Sequence, residues 1–140
     1  MPALKTYDLF ISHAWAYNQA YYKLIDLLDT APNLYFRNYS VPNHDPVLDP
    51  NSSYGRDKLT RALDAQIRPV NCVVIISGMY ATYRYWIDKE IEIAKRYSKP
   101  IIGVVPWGQL RTPLNVQRAA SEMVRWNASS IVAAIRRHSL

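Results

Sequence analysis

The sequence predicts an α/β domain, a parallel sheet of five strands in the order 2-1-3-4-5 with helices on both faces. Three observations carry this. Short apolar runs alternate with helical periodicity along the whole chain, which is the pattern of a sheet wound by crossover helices. One run, Cys72 to Ile76 (CVVII), is apolar at every position, as a strand covered on both faces must be. No internal repeat or low-complexity segment interrupts the alternation. At 140 residues the chain can bury one substantial core and is too short for two ordinary ones, so a single domain over 1–140 is expected.

The elements follow in order. Tyr7 to Ser12 (YDLFIS) is a short strand. Tyr21, Leu24, Ile25 and Leu28 recur at i, i+3, i+4, i+7 and predict an amphipathic helix. Leu34 to Val41 (LYFRNYSV) is aromatic and β-branched enough for a second strand. Pro42 to Ser53 (PNHDPVLDPNSS) has no period and reads as a long loop, expected over a binding crevice or at a contact between protomers. Leu59, Leu63 and Ile67 mark a second helix, ended by Arg68-Pro69. After the CVVII strand comes a third helix through residues 86–97. Pro100 to Val105 (PIIGVV) is a fourth strand and Glu122 to Trp126 (EMVRW) a short fifth. Asn127 then caps a closing helix that turns Ile131 and Ile135 inward.

Composition excludes several functions. No apolar run approaches membrane-spanning length, and the N-terminus (MPALKTYDLF) lacks the layout of a signal peptide. A single cysteine, Cys72, forbids an internal disulfide, so a cytoplasmic setting is expected. The net charge of +6 comes from scattered residues with no nucleic-acid-binding signature, which describes a solvated surface able to attract an anionic small molecule.

In a sheet of this order, ligands bind at the carboxyl ends of the first and third strands. Those ends read Ser12-His13-Ala14-Trp15 and Ser77-Gly78-Met79-Tyr80. The acidic residues of a phospho-receiver are missing, as are a Walker A loop and a GxGxxG turn. Four glycines are too few for a glycine-rich phosphate cradle. His13, His44 and His138 stand apart from one another, so no metal site is expected, and Cys72 reads as core. Ser12, His13 and Asp45 make a triad only on paper, without a nucleophile elbow.

One residue is out of place. On a helix turning about 100° per residue, Trp86, Ile87, Glu90, Ile91, Ile93, Ala94 and Tyr97 share one arc, and Glu90 is its only charge. A carboxylate there needs either a partner or a function. It is either a buried ion-pair member, or a site residue on the first turns of the helix after the third strand. Glu92 lies on the opposite arc, at i, i+4 from Arg96, and reads as a surface pair.

These residues also carry a resemblance. YDLFISHAW resembles the opening strand of TIR domains, and Ser77…Tyr80…Trp86-x-x-x-Glu90 resembles their third-helix motif. NYSVPNHDPV and EMVRWNASSIVAAIRRH are similar to the bacterial TIR-like subfamily of the Thoeris anti-phage ThsB proteins. Tyr85 and Ile87 stand where many TIR domains carry Ser and Cys, a departure that points away from animal and plant adaptor roles. The resemblance implies a flavodoxin-like TIR fold and an enzyme that cleaves NAD as its substrate, with Glu90 catalytic and no resident cofactor. Ser12, His13, Asn38, Tyr39, Ser40, His44, Asp45, Ser77, Tyr80 and Trp86 are then expected to bind the substrate. The product would be an ADP-ribose derivative, cyclic or conjugated, that reaches a separate effector by diffusion. Self-association of TIR protomers and a phage-derived trigger are the further expectations, with no membrane or nucleic-acid partner. The alternative is a non-catalytic TIR-like module that acts by assembly.

Overall fold

A computed structural model describes the backbone of residues 5–12, 19–39, 53–76, 80–105 and 114–140. Side chains are described for residues 5–12, 22–39, 60–76, 87–105 and 114–140. The chain runs β1 (Thr6–Ile11), α1 (Gln19–Asp29), β2 (Tyr35–Asn38), α2 (Ser53–Ile67), β3 (Cys72–Ile76), α3 (Tyr80–Arg96), β4 (Ile101–Val105), α4 (Leu114–Ala119), β5 (Glu122–Arg125) and α5 (Ala128–His138). The five strands form one sheet in the order β2-β1-β3-β4-β5, and every pairing is parallel. This is the predicted order.

Every residue of β3 is buried, which places the continuous apolar run at the middle of the sheet. Helices supply the cover. α1 packs with α5, while α2 and α4 pack with α3, which also lies against β3. Leu24 and Leu28 of α1, Leu63 and Ile67 of α2, and Ile131 and Ile135 of α5 are buried almost completely, so the helical spacings in the sequence do mark the inward faces. Asn127 caps α5 by accepting from the Ser130 backbone N–H at 3.1 Å, as its position before the helix predicts.

Polar contacts set the registers at the start of the sheet. Asp8 pairs with Arg37 across β1 and β2, Oδ1 to Nε at 2.6 Å and Oδ2 to Nη2 at 3.1 Å. Asn71, just before β3, clasps Asp8 twice: its side-chain oxygen accepts from the Asp8 N–H at 2.8 Å and its own N–H donates to the Asp8 carbonyl at 2.7 Å. The C-terminus joins this cluster, with the Leu140 N–H donating to the Asn71 carbonyl at 3.1 Å and Lys5 Nζ donating to the Leu140 carbonyl at 2.6 Å.

Several boundaries differ from the sequence reading, and one element is additional. β2 spans only Tyr35–Asn38, because it is an edge strand with one neighbour to pair with. α2 starts at Ser53, which the sequence assigns to the preceding loop; residues 42–52 of that loop lie outside the described residues. α3 starts at Tyr80, well before residue 86. The short helix α4 has no counterpart in the sequence reading, since Val116 is its only buried residue and one residue makes no period.

Two substitutions test this architecture. Ile75→Ala, at a fully buried position of the central strand, should destabilise the domain by about 2–5 kcal/mol in urea unfolding. Asn127→Ala should cost about 1 kcal/mol by removing the α5 cap.

Candidate active site

The sheet order reverses direction between β1 and β3, and in sheets of this order the carboxyl ends of those two strands are where ligands bind. Ser12 follows directly on β1. Its backbone N–H donates to the Val74 carbonyl at 2.8 Å, which extends the β1–β3 pairing by one residue and fixes Ser12 at the strand's end. Its side chain is almost fully buried, at 1% exposure.

α3 brings the second residue. Ile87, Ile91, Ile93 and Ala94 are buried and Tyr97 is half-buried, so the apolar arc is the inward face of the helix. Glu90 lies on that face and is 1% exposed. The Ser12 hydroxyl donates to the Glu90 carboxylate, and the other carboxylate oxygen, Oε2, has no hydrogen-bond partner among the described residues. Burial pushes the Glu90 carboxyl up from 4.5 to about 8, and the Ser12 hydrogen bond offsets only part of that rise.

Glu90 is not on the first turns of its helix. It lies ten residues, about three turns, beyond Tyr80, outside the reach of the positive end of the helix dipole. Nor does an ion pair relieve it. Among the described residues the ion pairs join Asp8, Asp64, Glu92 and Glu122 to their basic partners, and none includes Glu90. Glu92 is the contrasting case, more than half exposed and held by Lys89 at 3.2 Å and Arg96 at 3.5 Å.

The remaining candidate residues are placed as follows. Asn38 ends β2 and is exposed, and Tyr39 is half-buried against the core with its N–H on the Leu9 carbonyl at 2.8 Å. The register pairs Asn38 with Leu9, three residues or about 10 Å short of Ser12 along the strand direction. Tyr80 and Trp86 belong to α3, and their side chains are outside the described ones. His13, Ser40, His44, Asp45 and Ser77 lie outside the described residues altogether. Of the described candidates, the structure therefore joins Ser12 to Glu90. The sequence singles out both residues without any signal that they touch, because the contact is between elements far apart in the chain.

Two other kinds of chemistry are absent among the described residues. Cys72 is buried and its thiol is pushed up to about 12 by burial, so it forms no thiolate nucleophile at neutral pH. No cluster of metal-ligating side chains occurs among the described residues. A groove of about 600 Å³ runs between β5 and α5, but Glu122 there is paired with Arg137 and His138, and Asn127 is engaged in capping. None of the described helices is long and apolar enough to cross a membrane.

Comparison with known proteins gives the family of the chain. No curated protein matches the chain. The family model of the TIR-like domain of the Thoeris protein ThsB matches residues 10–111, a span from within β1 past β4 that takes in Ser12 and Glu90. Thoeris is an anti-phage defence system that works with an effector. The parallel five-stranded sheet in the order 2-1-3-4-5 is consistent with a TIR fold, and the chain belongs to the Thoeris ThsB TIR-like family.

Proposed function

We propose that this domain cleaves NAD, releases nicotinamide, and makes an ADP-ribose-derived signal, cyclic or conjugated, that activates a separate effector. The observation that carries this reading is the state of Glu90. An unpaired carboxyl on the core face of a helix, with one oxygen lacking a partner, costs stability and serves no packing purpose. A group held at such a cost beside a ligand crevice is a functional candidate.

The chemistry suits one carboxylate. The nicotinamide of NAD is cationic when attached and neutral when it leaves, so no acid has to protonate it. What needs stabilising is the positive charge that develops on the ribose as the glycosidic bond breaks. A carboxylate in a site shielded from water stabilises that charge far more than it would in bulk solvent. The cationic nicotinamide ring of bound NAD would also lower the pKa of Glu90, so that substrate binding converts a largely neutral carboxyl into the anion that the reaction uses. Glu90 is almost fully shielded from solvent, and exclusion of water favours attack at C1′ by a nucleophile of the substrate itself, giving a cyclic product, or of a second bound molecule, giving a conjugate. That is the reason for preferring a cyclic or conjugated product over free ADP-ribose.

Nicotinamide release from NAD, followed by chromatography of both products, is the direct test, under conditions that assemble or trigger the protein. Glu90→Gln keeps the side chain's size and removes its charge, so turnover should fall by about 100-fold or more with the fold retained. Loss of turnover together with a lowered melting temperature would instead assign Glu90 a structural role, and full turnover would leave assembly as the function.

Glu90 also makes two pH signatures. Its folded pKa, about 8, lies above the ordinary 4.5, so the folded state binds more protons across that window and stability falls as pH rises through it. The melting temperature of the wild type should decline from pH 5 to pH 9, and Glu90→Gln should flatten that decline. In turnover, kcat/KM should rise with pH toward a limb near 8, the ionisation in the free protein. The limb in kcat should lie lower, because the bound cation already favours the anion.

A further inference from the structure

We propose that Ser12 is the positioning residue of this site: its buried hydroxyl holds one oxygen of the Glu90 carboxylate and leaves the other for substrate. This rests on the reading of Glu90 as the catalytic carboxylate, and it reassigns Ser12 from the substrate contact that the sequence suggests.

The geometry is specific. Ser12 cannot drift, because its backbone is tied to Val74 by a 2.8 Å bond that continues the β1–β3 ladder through Leu9↔Cys72, Phe10↔Val73 and Ile11↔Val74. Its side chain is shielded from solvent to the same degree as that of Glu90. A serine hydroxyl has one proton to give, and here Glu90 takes it, so none remains to donate to a phosphate or sugar. Glu90 has two oxygens, and only Oε2 lacks a partner among the described residues. One oxygen is therefore anchored on β1, and the other, carried by α3, is buried with no partner among the described residues. The carboxylate plane is set by two elements that meet at the switch point, and packing of Ile87, Ile91 and Ala94 holds the helix that carries it.

The contact also bears on charge. A hydroxyl donates more strongly to a carboxylate than to a neutral acid, so Ser12 favours the ionised form and opposes the effect of burial. Without it, Glu90 would be both less well oriented and harder to ionise. A substrate-binding serine predicts the opposite pattern, weaker binding with an unchanged Glu90.

Ser12→Ala and Ser12→Cys both remove the strong donor, and the cysteine variant keeps the side-chain volume should alanine disturb folding. Two measurements on the full chain decide the question, each beside a melting curve. The first is a carbon-13 NMR titration of the Glu90 carboxyl carbon without substrate. Its midpoint should move to higher pH by about one unit in the folded variant, as loss of a hydrogen bond to the charged form requires. The second is NAD turnover against pH. Expected are a kcat lowered about tenfold, a KM within about threefold of wild type, and a kcat/KM limb moved to higher pH in step with the NMR midpoint. An unmoved midpoint would overturn the proposal whether or not the protein turns over NAD. A raised KM with unchanged kcat and an unmoved limb would return Ser12 to substrate binding and also overturn it. A shifted midpoint in a protein whose wild type never releases nicotinamide would keep Ser12 as the anchor of Glu90 and reject the NAD reading alone.

Discussion

A strand that is apolar at every position has to be covered on both faces, and β3 imposes that constraint on the rest of the domain. Helices must lie above and below it, so the chain has to leave the sheet on alternate sides. With β3 in the middle, the strands that precede it extend the sheet one way, toward β2, and those that follow extend it the other way, toward β5. The connections therefore part company between β1 and β3. The crevice at that point follows from covering the central strand, and no residue has to be reserved to create it.

Beside Ser12, at the end of β1, the fold places a group that works against its own stability. Other acidic side chains among the described residues are paired: Asp64 meets Arg96, Glu122 meets Arg137 and His138, and Asp8 meets Arg37. Glu90 has instead a single hydroxyl, far less than a buried carboxylate needs. Its ionisation therefore depends on the charge of whatever comes to lie beside it. In the proposed reaction the cationic nicotinamide ring of NAD would supply the counter-charge that the protein withholds.

Much of this was legible before any coordinates, and the particular failures have physical causes. The run CVVII could only be a central strand, and Asn127 before an Ile131/Ile135 face could only be a helix cap. The oddity of Glu90 followed from its phase against Ile87, Ile91 and Ala94. Its depth within α3 did not, because the helix begins at Tyr80 and residues 80–85 carry no clear apolar phase that would announce an earlier start. α4 gives no periodic signal, because Val116 is its one buried residue. The reach of β2 was overestimated because strand propensity does not report where a neighbour stops pairing. The contact of Ser12 with Glu90 joins β1 to α3, and periodicity speaks only of residues within one element.

The clasp at the start of the sheet has a consequence for how the domain can be joined to other things. Lys5 touches Leu140, and both sit with Asn71 and Asp8 at the pole where β1 and β3 begin. The crevice lies at the other pole, a strand's length away, about 20 Å for the six residues of β1. A tag, surface linker or fused protein attached at either residue departs from the side opposite Ser12 and the carboxyl ends of β1 and β3. Because the two residues are neighbours, a short peptide would also suffice to join them, and the chain could then be opened elsewhere with the same sheet order preserved.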